Sequence, residues 1–242
     1  MSGHSKWATT KRTKFASDAK KAAIFTKLSR VITVAAKEKG GDPETNFSLR
    51  LAIEKAKAAN MPKDNIERAI KRGTGELEGA AIEEIVYEGF GPGKIPVILK
   101  CLTDNKNRTA SNIKHLLTQA GGSLAGPNAV AWQFEQKGVI LVNNEAIVTQ
   151  NWANLELQLI DLGAQEIIKV EEGLIIYTKI EDLQKVNKGL ETLGITVESA
   201  DISYIAKEKI TLNEEQKKRY DEFIDTLDDD EDIEDYYTNL AE

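Results

Sequence analysis

Cysteine is almost absent from this chain. Among its 242 residues there is one, Cys101, set in the apolar run IPVILKCL from Ile95 to Leu102. A single thiol can close no disulfide within the chain and build no cysteine-based metal site, which excludes a disulfide scaffold and points to a reducing, cytoplasmic setting. Histidine is nearly as scarce: His4 and His115 lie far apart, and no HExxH or other paired metal-ligand spacing occurs. A nucleophile elbow is missing too. The glycine-rich GFGPGK, Gly89 to Lys94, lacks the Ser or Thr and the following helix that a P-loop requires, so its glycines and proline are read as turn residues. No metal and no cofactor is expected, and the chain is read as a non-enzyme. No apolar run approaches the roughly 18 residues of a membrane span, so no membrane partner is expected. The apolar fraction of 41% and charged fraction of 29% are those of an ordinary soluble protein.

What is present is charge, unevenly placed. Gly3 to Arg30 carries eight Lys or Arg against one acid, Asp18, in a chain whose formal net charge is −7. Positive charge concentrated on an otherwise acidic protein marks a surface for a polyanion, because each phosphate it neutralises releases condensed counterions. His4, Trp7 and Phe15 are interleaved with these cations and suit stacking on bases, although Trp7 serves equally as an apolar anchor for the terminus. The acid-poor start has the look of a transit peptide, but it lacks a cleavable apolar region and is read as part of the mature chain. Nucleic acid is therefore the expected partner. Its expected contacts are Lys6, Trp7, Lys11, Arg12, Lys14, Lys20, Lys21, Lys27 and Arg30, joined by Lys63, Arg68, Lys71 and Arg72.

These last four lie in a helical region. Ile24, Leu28, Val31, Ile32 and Ala35 follow a helical stripe, with Ser17 as N-cap and Gly40-Gly41 as the stop. Phe47 to Ala59 makes a second helix, and Pro62 opens a third that ends at Gly73. The two show no evident helix-turn-helix spacing. TGELEG, Thr74 to Gly79, reads as a hinge. Strands follow at Ile82 to Phe90 and Ile95 to Thr103, then a helix from Asn107 to Ala120 and a short strand at Val130 to Phe134.

From Gly138 the order is strand (Val139 to Val142), helix (Ala146 to Leu162), strand (Gln165 to Glu171), strand (Leu174 to Ile180), helix (Leu183 to Leu193) and strand (Thr196 to Ile205). This βαββαβ unit is complete in itself and ferredoxin-like. The preceding ββαβ section lacks a helix and a strand, which Asn213 to Leu227 and Ile233 to Leu240 supply. The expected architecture is α+β: a basic helical domain with its tail at 1–78, a discontinuous ferredoxin-like α/β sandwich at 79–137 and 206–242, and a second one inserted at 138–205.

Two polar features stand apart. LTDNKNRT, Leu102 to Thr109, ends a strand and opens a helix, so Lys106 and Arg108 with free backbone N–H groups make a candidate anion site; Asp104, Asn105 and Asn107 serve equally well as helix caps. The far end is acidic, with 13 Asp or Glu from Glu214 onward and the run DDDED at Asp228 to Asp232. Such a run solvates, or it mimics phosphate and covers the chain's own basic face.

Five stretches, GHSKW (Gly3 to Trp7), DAKKAAIFTKLSR (Asp18 to Arg30), LAIEKAKAANMPKDNIERAIKRGTGE (Leu51 to Glu76), YEGFGPG (Tyr87 to Gly93) and CLTDNKNRT (Cys101 to Thr109), closely resemble the YebC/PmpR family. The resemblance spans essentially the whole chain, departing at Lys21-Ala22-Ala23, where the family often has a further basic residue and a glycine. It implies an N-terminal helical domain and two ferredoxin-like domains, one inserted in the other. It also implies a cytoplasmic regulator of gene expression, described for most members as a probable transcriptional regulatory protein that binds DNA. Bacterial relatives and the mitochondrial translational activator of cytochrome c oxidase are instead described as acting on translation at the ribosome. A protein-interaction scaffold is the competing class.

Overall fold

Seven helices and two four-stranded antiparallel sheets make up the residues described by this computed structural model, 18–144, 152–171 and 173–241. The fold is α+β, a three-helix domain with two ferredoxin-like α/β sandwiches. The chain divides into two compact units: residues 134–207, and residues 18–133 together with 208–241.

The second unit begins with helix α1 (Asp18–Lys39), which stops where Gly40 takes φ +90° and its N–H caps the Ala36 carbonyl at 2.9 Å. Leu28, Ile32, Ala35 and Ala36 form its buried stripe. Helix α2 (Phe47–Ala58) is capped by Asn46, whose side-chain oxygen accepts from the Leu49 N–H at 3.1 Å. The same fully buried side chain donates to the Ala35 and Gly40 carbonyls at 2.8 and 2.7 Å, so one residue both starts α2 and fastens it to the end of α1. Helix α3 (Lys63–Gly73) follows Pro62 and is tied to α1 by the Thr33 hydroxyl, 3.1 Å from the Ala69 carbonyl. Ile32, Leu49, Ala56, Met61 and Ile66 close the bundle core. Burying the larger of these side chains stabilises the bundle by roughly 1.5–3 kcal/mol each.

Strands β1 (Glu83–Phe90) and β2 (Pro96–Thr103) form the expected hairpin, in register from Glu83 opposite Thr103 to Phe90 opposite Pro96. Helix α4 (Lys106–Gln119) then leads to a two-residue strand, β3 (Ser123–Leu124), on the far side of β1. Val130 to Phe134 is not this sheet's third strand. Residues 131–133 form a 3₁₀ turn, and Phe134 opens a strand of the other unit. Val130 is fully buried, as its apolar character requires, but its N–H goes to a side chain and not to a ladder. The Glu88 carboxylate accepts from the N–H groups of Asn128, Val130 and Ala131 at 2.7–2.8 Å. Burial pushes this carboxyl up, but the three N–H groups outweigh it and hold Glu88 below the usual carboxylate range.

The inserted unit is β4 (Phe134–Asn143), α5 (Trp152–Leu162), β5 (Ala164–Val170), β6 (Gly173–Thr178), α6 (Leu183–Thr192) and β7 (Ser199–Ala206), with strand order β5-β6-β4-β7. The first part of the helix expected at Ala146 to Leu162 lies outside the described residues. Strand β4 starts earlier than its apolar run because Phe134 to Lys137 pair with Ala206 to Ser203. Leu155, Leu159, Val186 and Leu190 are the buried positions of the two helices, and Lys169 sits 3.9 Å over the Trp152 ring.

The chain then completes the first sandwich with α7 (Glu214–Asp229) and β8 (Ile233–Thr238), giving the order β3-β1-β2-β8. Alternate β2 residues Val97, Leu99 and Cys101 meet Ile113 and Leu117 of α4 and Phe223, Ile224 and Leu227 of α7. Connectivity distinguishes the sandwiches: here the two central strands are joined directly by the hairpin, whereas in the inserted unit each central strand leads through a helix to an edge strand.

Candidate nucleic-acid interface

The structure brings the expected cations to several different situations. Lys6, Trp7, Lys11, Arg12 and Lys14 lie outside the described residues, and Lys20 and Lys21 fall in the first turn of α1. On α3, Ile66 and Ala69 turn inward while Arg68, Lys71 and Arg72 are exposed at the i, i+3 and i+4 spacing of one helix face. No carboxylate among the described residues forms a salt bridge with these three. Lys63 is exposed as well, 3.4 Å from Glu67, a surface pair worth little. Lys71 and Arg72 close the last turn of α3, where the helix dipole favours cations.

Helices α2 and α3 are joined by residues 59–62 alone, with Asn60 at φ +59° and the Met61 N–H returning to the Ala56 carbonyl at 2.9 Å. This is a connection of helix-turn-helix length, at the break between Ala59 and Pro62 that the sequence marks. The charge order on α3 is the reverse of a base-reading helix, however. Such a helix meets base edges with its amino-terminal residues, and those of α3 that are exposed include Asp64 and Glu67, while the arginines stand in its carboxyl-terminal half.

Lys27 and Arg30 are only partly exposed and are already engaged. The Lys27 ammonium donates to the Asp228 carbonyl at 2.6 Å. Arg30 donates to the Glu231 carbonyl and, at 2.7 Å, to Asp232 Oδ1. Burial lowers the Lys27 pKa, and the nearby carboxylates of Asp228, Asp230, Asp229 and Asp235 only partly restore it. DDDED is therefore not merely a solvated run: it ends α7, forms the turn to β8 and contacts α1.

At the β2–α4 turn the candidate anion site holds an anion of the chain's own. Asp232, 7% exposed, presents its carboxylate to α4. The Thr109 hydroxyl donates to Oδ2 at 2.7 Å, and Arg108 stands 3.4 Å from both oxygens and 2.8 Å from Asp104. Asp232, first, and then Asp104 raise the Arg108 pKa further. Lys106 pairs with Glu83 at 2.6 Å and, through that hydrogen bond and its charge, lowers the Glu83 pKa. Asn105 takes the capping role, accepting from the Arg108 N–H at 3.0 Å. Asp232 is the residue that sequence reasoning missed at this site; its partners Arg30, Leu102 and Thr109 are remote in sequence, and only its place in the acidic run drew notice.

Burial, followed by Asp230 and Asp232, pushes the buried Cys101 thiol up, away from the depressed range of a reactive thiolate. Among the described residues no group of three or more His, Cys, Asp or Glu is placed to hold a metal, and no helix is long and apolar enough to cross a membrane.

Residues 5–76 match the family described as TACO1/YebC protein N-terminal domain, and residues 82–240 match the TACO1/YebC second and third domain. Among curated proteins the chain is 48% identical to a probable transcriptional regulatory protein of Dehalococcoides mccartyi and 47% identical to one of Thermotoga maritima, in each case over 99% of this chain and 94% of the relative. Its fold is similar to the crystal structure of a conserved hypothetical protein from Aquifex aeolicus, with a TM-score of 0.81 at 40% identity over 93% of this chain and 91% of the other.

Proposed function

The chain belongs to the TACO1/YebC family, and from that premise we propose that it is a cytoplasmic, non-enzymatic regulator of gene expression that binds nucleic acid through its basic helical domain and amino-terminal tail. The observation that carries this reading is the exposed cationic face of α3, Arg68, Lys71 and Arg72. It adds to the positive charge that the sequence concentrates in Gly3 to Arg30 on a chain that is acidic overall. Phosphates are the ligand that such a face attracts, with release of counterions as the driving force. The names of the relatives favour a transcriptional regulator, and DNA is the ligand we assign to such a role. The sandwiches then serve as spacer or partner platform.

A second reading, a translation factor bound to structured RNA or ribosomes, is favoured by the charge order of α3 and by the abundance of lysine in the tail. Lysine is a compact point charge that suits phosphate and lacks the planar fork with which arginine reads guanine. Recognition of backbone and shape follows for either nucleic acid. A scaffold that meets only proteins would leave this face without a ligand.

The test is a competition panel with the full chain. Labelled duplexes of different sequence and a structured RNA are each titrated against a large excess of unrelated duplex. Discrimination among duplexes is expected to stay within about tenfold, the size of one base contact, or about 1.4 kcal/mol. On the translational reading the chain also sediments with ribosomes. A footprint on a defined promoter that survives the competitor, without ribosome co-sedimentation, would leave DNA-sequence reading as the activity and end the backbone-recognition reading.

A further inference from the structure

Two of the cations assigned to the interface already hold three oxygens of their own chain. Lys27 takes the Asp228 carbonyl, and Arg30 takes the Glu231 carbonyl and the Asp232 carboxylate. The turn that offers these oxygens is fixed from the opposite side. The Leu102 N–H donates to the Asp232 carbonyl at 2.8 Å, the Thr109 hydroxyl and Arg108 hold its carboxylate, and Asp230 Oδ1 accepts the Asp232 N–H at 2.9 Å. The Asn112 side chain donates to the other Asp230 oxygen. One carboxylate oxygen and two backbone carbonyl oxygens, presented to a lysine and an arginine one helical turn apart, stand where the oxygens of a phosphodiester backbone would be received.

The contact is built so that it can be exchanged. When Arg30 leaves, Asp232 keeps Thr109 and Arg108, and no buried carboxylate is orphaned. The two cations return to water or to another anion. An ordinary buried ion pair lacks this asymmetry, because its rupture leaves a charge uncompensated. The position of Lys27 agrees: burial lowers the pKa of its ammonium despite four carboxylates nearby, so an incoming polyanion meets a cation whose charge is incompletely compensated.

We propose that the Asp228–Asp232 turn is an internal competitor for the nucleic acid, which closes over Lys27 and Arg30 in the free protein and is displaced from them by backbone phosphates. The inference rests on the function proposed above and adds its regulation. Binding and closure exclude each other at these two cations, so the closed population lowers the apparent affinity, and the polyanion shifts the chain toward the open state.

Asp232→Asn tests it, since asparagine keeps the volume and an oxygen for Thr109 while removing the charge that holds Arg30. The probes are a 20-base-pair mixed-sequence DNA duplex and an RNA hairpin of similar length, titrated over a range of KCl with the full chain. Apparent affinity is expected to rise about threefold to tenfold with the salt slope near the parent's, because both bound states make the same phosphate contacts and only the competition of the closed form is relieved. Unchanged or weaker binding would overturn the proposal and make Asp232 a residue that only positions the bundle. Should Asp232→Asn fail to fold, Lys27→Gln combined with Arg30→Gln decides the matter: the slope is expected to flatten by roughly 1.4–1.8, two phosphate contacts at about 0.7–0.9 each, and a slope equal to the parent's removes both cations from the bound state and overturns the proposal. Failure of the parent chain to bind either probe would instead sink the proposed function itself.

Discussion

Replacing Arg68, Lys71 and Arg72 together with glutamine is expected to weaken binding of the full chain to duplex DNA or structured RNA on the order of 100-fold at ~0.05 M salt. Three phosphate contacts stand to be lost, each carrying a salt slope of about 0.7–0.9, and the loss should shrink as salt rises. Glutamine is chosen because it is nearly as good a helix former as arginine and lysine. Glutamate at Lys71 and Arg72 would also oppose the negative end of the α3 dipole and cost about 0.3–1 kcal/mol per residue in helix stability. The inward residues Ile66 and Ala69 are untouched, so the thermal unfolding midpoint should move little. Fluorescence anisotropy with the parent chain and the triple variant measures the effect. Equal affinities would move the binding surface off α3.

The second large effect concerns stability. Gly122→Ala is expected to destabilise the first sandwich by about 3 kcal/mol or more. A Cβ at this position would stand 1.9 Å from the Phe90 carbonyl oxygen and 2.8 Å from the carbonyl carbon, both of them backbone. The chain has little room to shift there. The Gly122 N–H is held by the Leu117 carbonyl at 2.7 Å, and the next two residues pair with Phe90 and Gly89 to form β3. The neighbouring Gly121 supplies the control. It takes φ +79° with nothing within 4 Å of its added Cβ, so Gly121→Ala carries only the left-handed backbone penalty of about 1–2 kcal/mol. Chemical denaturation of the two variants should therefore separate them clearly, and equal midpoints would show that β3 is not held as described.

Much of this architecture is legible in the sequence. Helix starts and stops were marked by residues with a local physical reason, such as Gly40, Pro62 and Gly73, and the alternation of β2 and the βαββαβ order from Gly138 onward were visible as periodicity. Legibility failed where local sequence and tertiary pairing disagreed. Strand β3 is two residues long and has no period to detect. Val130 to Phe134 looked like a strand because it is apolar, yet a glutamate 42 residues before Val130 claims its backbone N–H. Charge was the harder signal. Composition shows that Lys27, Arg30 and DDDED carry opposite charges but not that they meet, since Arg30 and Asp232 are 202 residues apart. The apolar flanks Leu227 and Ile233, both buried, were the available hint that the acidic run is pinned to a core. Likewise Lys106 and Arg108 read as an anion site, and the anion turned out to be encoded at the other end of the chain.

The central claim, that the basic helical domain and tail bind a nucleic-acid backbone, is tested most directly by the salt dependence of affinity for the full chain and for a variant in which Lys6, Lys11, Arg12, Lys14, Lys20 and Lys21 are reversed to glutamate. For the parent, log affinity is expected to fall with log salt at a slope of at least about −4, six contacts at roughly 0.7 each, and the reversal should flatten it by that amount. A parent slope near zero, or one that the reversal leaves unchanged, would contradict the account.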